Sequence, residues 1–208
     1  MDAAEPWSIK AKDRRVLIAA QIPAAWKLSV SVSEATADVA ATGLLSAHEL
    51  DITRASVGIL LEKLHSGQWS SESVTTAFCK RAAVAQQCLN VATELMFDEA
   101  IDTARQYDRH LAETGSIKGP LHGLPISVKD IFDVAGHIST AGFVSRLDDV
   151  AKEDGLLVAA MKEAGAIPFI KTNISQGCLL VESINNIFGT VLNPSNKALS
   201  AGGSSGGE

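Results

Sequence analysis

Cysteine is scarce in this chain of 208 residues, and its three cysteines, Cys79, Cys88 and Cys178, are scattered. They form no CxxC pair and an odd number cannot all pair internally, so reduced thiols and a cytoplasmic setting are expected. Runs of Lys or Arg are missing too. Eighteen basic against 24 acidic residues leave a formal net charge of −6, which gives no bulk attraction to nucleic acid or an anionic membrane. Aromatic residues make up 5% of the chain, and the three tryptophans are too dispersed to form a base-stacking platform. No apolar run approaches the ~18 residues of a membrane span, and the segment from Met1 to Trp7 lacks the apolar stretch of a secretory signal. The five histidines (48, 65, 110, 122 and 137) show neither HxxxH nor HExxH spacing, so no metal is assigned and no cofactor is called for. What remains is an ordinary globular composition, 46% apolar and 20% charged, long enough for one domain with room for a small second one.

The first half reads as helical. Residues 8–21 mix charged and aliphatic groups and stop before Pro23, and residues 29–43 resemble a linker. Ser46-Ala47-His48-Glu49 has the form of a capping box, in which hydroxyl and carboxylate satisfy free amides of a first turn. A helix over about 55–65 ends at Gly67, and another begins after Ser70 with Glu72 near the positive end of its dipole. Phe97, Ile101, Ala104, Tyr107 and Leu111 mark one stripe of a further helix, which Gly115 closes. Beyond Gly119-Pro120 the period changes to two over 124–129, as in a strand. A helix from Asp154 to Gly165 and a short buried strand over 166–170 follow. That strand–helix–strand order predicts an α/β layer. The last stretch, 193–208, is polar and rich in Gly and Ser, and is expected either to fray or to be part of a functional loop cut midway.

Chemistry has few places to sit. Gly202 to Gly207 flank Ser204 and Ser205 with residues that tolerate close backbone approach; by composition alone a flexible tail is the simpler account. A P-loop is excluded because Glu208 stands where a phosphate-binding Lys is needed. A nucleophile elbow is excluded because the preceding residues 194–200 are polar. Lys129 lies among Ile126, Val128, Ile131 and Phe132. Beside Asp130 it reads as a solvated strand-end lysine. Its functional alternative is a desolvated amine able to take a proton near neutral pH. His122 is read as ordering the turn before the strand. Cys178 is a candidate for a pocket wall, although a buried unreactive thiol is the commoner case.

Together these segments resemble one family. Gly119 to Asp130 (GPLHGLPISVKD) is similar to the lysine segment of the amidase-signature hydrolases. Lys171-Thr172-Asn173, Asn185 to Gly189 and Leu192-Asn193-Pro194 resemble the stretch between that family's motifs, and Gly202 to Glu208 the opening of its Gly/Ser signature. Residues 44–53 are similar to the fungal acetamidase-like branch. The resemblance implies an α/β fold in which a helical N-terminal region precedes part of a mixed-sheet α/β/α core. Residues 1–45 would form a helical extension and linker, and 46–208 the N-terminal part of the amidase domain.

The resemblance also implies a Ser–cisSer–Lys triad acting on small amide substrates. Lys129 would be the neutral base, and Ser204, following a cis peptide from Gly203, would relay the proton. Ser205 would assist by hydrogen bonding. The acyl-accepting serine of the family lies roughly two dozen residues beyond the Gly-Ser-Ser segment, after the glycine-rich stretch that builds the oxyanion hole. The 208 residues are therefore expected to be truncated before both and inactive alone. Their strands are expected to present unpaired edges, leaving the isolated chain poorly soluble or partly folded. Ala201 departs from the family, which usually has Pro there. Two alternatives stand beside this reading: a non-catalytic scaffold that binds a partner, and a relative of the glutamine amidotransferase subunit.

Overall fold

The computed structural model describes residues 6–35 and 38–208. Helix α1 (Trp7–Gln21) buries Ala11 and Ile18 and ends at Ile22, ahead of Pro23. Within the stretch read as a linker the chain forms a short helix, α2 (Val30–Ala35), and a 3-10 turn at Ala40–Thr42; serine and alanine without a proline are compatible with such short turns. The capping box forms as its residues dictate. Ser46 Oγ accepts the Glu49 amide at 3.3 Å, and the Glu49 carboxylate accepts the Ser46 amide at 2.8 Å, starting α3 (Ala47–Arg54). The segment expected as one helix from residue 55 begins instead at α4 (Val57–His65). Ser56 caps it through the Ile59 amide.

Helix α5 (Ser71–Leu89) starts at Ser70, whose hydroxyl accepts the Ser73 amide. The Asp108 carboxylate satisfies two more free donors there, the amides of Ser71 and Glu72, at 2.6 and 2.9 Å. A carboxylate at this end is also favoured by the helix dipole. Asn90, in the left-handed region, ends the helix. Strand β1 (Ala92–Leu95) follows, then α6 (Phe97–Thr114), which stops at Gly115. Strand β2 (Pro125–Lys129), helix α7 (Leu156–Glu163) and strand β3 (Ile167–Thr172) form the expected strand–helix–strand unit. Strands β2 and β3 are parallel, as a helical crossover requires. Strand β1 pairs antiparallel on the other side of β3, so the order is β1-β3-β2 and the sheet is mixed.

The polar end is ordered by two small ladders. They pair β4 (Ile184–Asn185) with β5 (Gly189–Thr190), and β6 (Leu192–Asn193) with β7 (Asn196–Ser200). The main core joins Ile18, Ile22 and Leu45 from the N-terminal segment to Ala83 and Phe97 on the helices and to Phe169 on β3. A second cluster (Ile52, Leu60, Leu64, Val74, Leu124) seats α3 and α4 against α5 and the start of β2. Among the described residues no helix is long and apolar enough to cross a membrane.

Candidate active site

Strand β2 ends on Lys129, and the register with β3 sets Lys129 opposite Thr172. Val128 is buried, whereas Lys129 is half-buried at the rim of the sheet. From there its Nζ reaches Ser204 Oγ at 2.8 Å. The peptide bond between Gly203 and Ser204 is cis. The two groups singled out in the sequence, 75 positions apart in the chain, are thus in direct contact.

The loop that carries Ser204 is held by backbone bonds to the residues that leave β3. The Ser175 amide donates to Ser204 O at 3.3 Å and the Gly207 amide to Asn173 O at 3.0 Å; within the loop, the Glu208 amide donates to Ser205 O at 3.2 Å. At Gly207 the approach leaves no room for a side chain: an added Cβ would collide with Val91 O and the Asn173 amide. The Glu208 carboxylate accepts Ser127 Oγ at 2.6 Å and Thr172 Oγ1 at 2.7 Å, so it spans β2 and β3 just below the lysine. Ser205 is exposed. Cys178 closes a 3-10 turn (Gln176–Cys178) with φ of 58°. Its amide donates to the carbonyl of Ser175, the residue whose own amide contacts Ser204 O.

Two grooves meet here. One, of about 580 Å³, is mainly apolar and runs along β2 past Leu124, Val128, Phe132, Leu157 and Met161 to Lys129. The other, of about 430 Å³, lies between Phe78, Arg81, Phe169, Leu192 and the Gly206-Gly207 backbone. Ser127 and Glu208 border both.

Behind Lys129 stands a buried ionic frame that the sequence did not reveal. Lys171 on β3 is fully buried, its ammonium donating to Ile138 O and Ser139 Oγ, both at 2.6 Å. Burial pushes its pKa down, and the nearby Asp130 and Glu94 carboxylates oppose this. Asp130, also fully buried, has its pKa raised by burial, while Lys171 and hydrogen bonds pull the other way. Its Oδ2 accepts the Ala141 amide at 2.7 Å and Thr140 Oγ1 at 3.1 Å. Glu94 completes the frame: it pairs with Arg14 from α1 and meets His137 Nδ1 at 3.1 Å, and Glu99 meets His137 Nε2 at 3.0 Å. Those carboxylates raise the His137 pKa, Glu94 most. His122 is buried near the turn before β2, where its Nδ1 accepts the Lys118 amide and its ring stacks on Tyr107. Lys171 lies inside one of the family-like segments, but its burial depends on Asp130 and Ile138, far away in the chain. A lysine within an otherwise apolar strand was the available signal.

Comparison with known proteins gives the family. The family model described as Amidase matches residues 73–208. An acetamidase of Emericella nidulans is 42% identical over 206 residues, and the alignment takes in 98% of this chain and 38% of that protein. An amidase of Gibberella moniliformis is 40% identical, with 97% of this chain and 40% of the relative covered. Among solved structures, a fatty acid amide hydrolase superposes with a TM-score of 0.90 at 31% identity over 98% of this chain and 37% of that one. Peptide amidase from Stenotrophomonas maltophilia superposes with a TM-score of 0.67 at 28% identity, over 74% of this chain and 33% of that one. The chain thus spans about two fifths of the length of the curated relatives it matches. By its matched segment and its mixed α/β core, the chain belongs to the amidase family.

Proposed function

We propose that this chain carries the proton-transfer half of a site that hydrolyses small linear carboxamides. The observation that supports the reading best is the 2.8 Å contact between Lys129 Nζ and Ser204 Oγ. Within that distance a proton passes either way between amine and hydroxyl. In its uncharged form the Lys129 amine takes the Ser204 proton while Ser204 Oγ takes that of the attacking serine. The attack on the amide carbonyl gives an acyl-enzyme, the proton returns to the departing nitrogen, and water then releases the acid. Gly203 and Ser205 support the relay, and Cys178 contributes to a nearby wall. The acyl-accepting serine and the oxyanion donors are assigned to residues outside these 208. A cytoplasmic setting is part of the same reading, supported by the three free thiols.

Purified protein assayed against simple aliphatic and aryl amides is expected to show no turnover above the uncatalysed rate. Turnover abolished by Lys129→Ala would overturn the assignment of the nucleophile outside the chain. Turnover unchanged by Lys129→Ala would overturn the role of the lysine.

A further inference from the structure

Ser204 sits on a short bow of chain whose two ends meet at a single buried residue, Ser183. The Ser183 amide donates to Gly202 O at 2.8 Å on the near side, and Ser183 Oγ accepts the Gly206 amide at 2.7 Å on the far side. Ser183 itself is fully buried, and its carbonyl accepts the Val191 amide at 2.9 Å. It immediately precedes β4, where the Asn185 side chain donates to Asn173 Oδ1 and Ile174 O and accepts the amides of Ile187 and Phe188. The approach is close: a Cβ added at Gly206 would lie 2.5 Å from both Cβ and Oγ of Ser183.

We propose that Ser183 is a positioning residue for the Lys129–Ser204 pair, fixing both ends of the bow so that Ser204 Oγ is presented to the lysine. The proposal rests on the base–relay reading above and adds a residue to it. Gly203 to Ser205 include two exposed positions; besides the close approach of Gly203 to the backbone of 180–182 and the Ser175 amide on Ser204 O, their placement depends on the hydrogen bonds that anchor the two ends of the bow. Of the two anchors on Ser183, the one at Gly202 is donated by its backbone amide and survives replacement of the side chain by alanine or cysteine. The one at Gly206 needs the hydroxyl. Removing it takes the only hydrogen bond that this part-buried amide makes among the described residues, on the side facing the fully buried Ser183. The freed loop then satisfies the amide by moving, and takes Ser204 with it.

The test is trace acylation of the 208-residue chain with acetic anhydride, read lysine by lysine by mass spectrometry. Lys171 reports opening of the interior and Lys118 the behaviour of a freely solvated amine. Ser204→Ala deletes the partner and sets the full effect on Lys129, about five-fold faster labelling. Ser183→Ala is expected to reach most of that rise with Lys171 still protected, and Gly206 amide exchange should accelerate in parallel. Ser183→Cys, which keeps the volume with a weaker acceptor, is expected to fall between, and it decides the matter if the alanine variant fails to fold. Lys129 labelling unchanged in the Ser183 variants but raised in Ser204→Ala would overturn the clamp and leave the base–relay pair standing. No change in Ser204→Ala would overturn the pair and the clamp with it. Lys171 labelling as fast as Lys118 in the unsubstituted chain would show that the frame holding the clamp is not formed, and would overturn it as well.

Discussion

Strands β2 and β3 lie side by side, and each brings a lysine to the same end of the sheet, with Val128 rather than Lys129 opposite Lys171 in the register. One residue of offset separates two fates. Lys171 points into the protein, where Ile138 O and Ser139 Oγ receive its ammonium and Asp130 balances its charge. Lys129 is half-buried at the rim, bonded to Ser204 Oγ and bordering a groove. Desolvation alone therefore does not make a lysine useful in catalysis. The more deeply buried of the two is the one with its donors committed to the frame, and the one with access to a ligand has a single hydroxyl for company. In this fold one lysine is framework and the other is placed to act.

The comparison breaks most visibly at Lys171. Lys171→Ala leaves Asp130 buried without its counter-charge and should cost about 3–5 kcal/mol of stability, read from urea unfolding. A cooperative urea transition for the unsubstituted chain would itself overturn the expectation of partial folding. Lys171→Met, which keeps much of the volume, paired with Asp130→Asn is expected to recover part of the loss, because the unpaired charge is then gone.

The next test moves to Glu94, which acts on Lys171 and also holds His137. The His137 pKa is raised in the folded state, so its contribution is complete below the ordinary histidine value and is lost as pH rises through the raised one. Unfolding midpoints should fall as pH rises from below the ordinary histidine value to above it. In His137→Asn that slope should disappear, and its persistence would assign the pH dependence to another group.

Away from both lysines, Ser46→Ala removes one hydroxyl from a formed capping box and is expected to cost about 1 kcal/mol. Lys129→Ala should have the smallest effect on stability, within about 1 kcal/mol, since it gives up one partly exposed hydrogen bond. A loss as large as that of Lys171→Ala would erase the distinction between framework and placed lysine.

What could be read from the sequence follows the range of the interactions. The Ser46–Glu49 cap, the stop at Gly115 and the strand–helix–strand order of β2, α7 and β3 are written in neighbouring residues, and they form as expected. The likeness of 119–130 and 202–208 to a known family pointed to Lys129 and Ser204 together, something no spacing could do. Strand β1 went unread because all four of its residues are buried and show no alternation. The order in 193–208 was left open between a fraying tail and a functional loop: Gly/Ser composition reads as slack, whereas the bonds that hold it come from Asn173, Ser175 and Ser183. Lys171 and Asp130 escaped for the same reason, since burial of a charge is decided by groups the chain brings in from elsewhere.

The crowding at Gly206 and Gly207 bears on any attempt to retune this protein by randomising its signature. Backbone and side-chain atoms already occupy the volume a methyl group would need at either position. A library diversified across 202–207 should therefore return glycine at those two codons whatever ligand is used for selection.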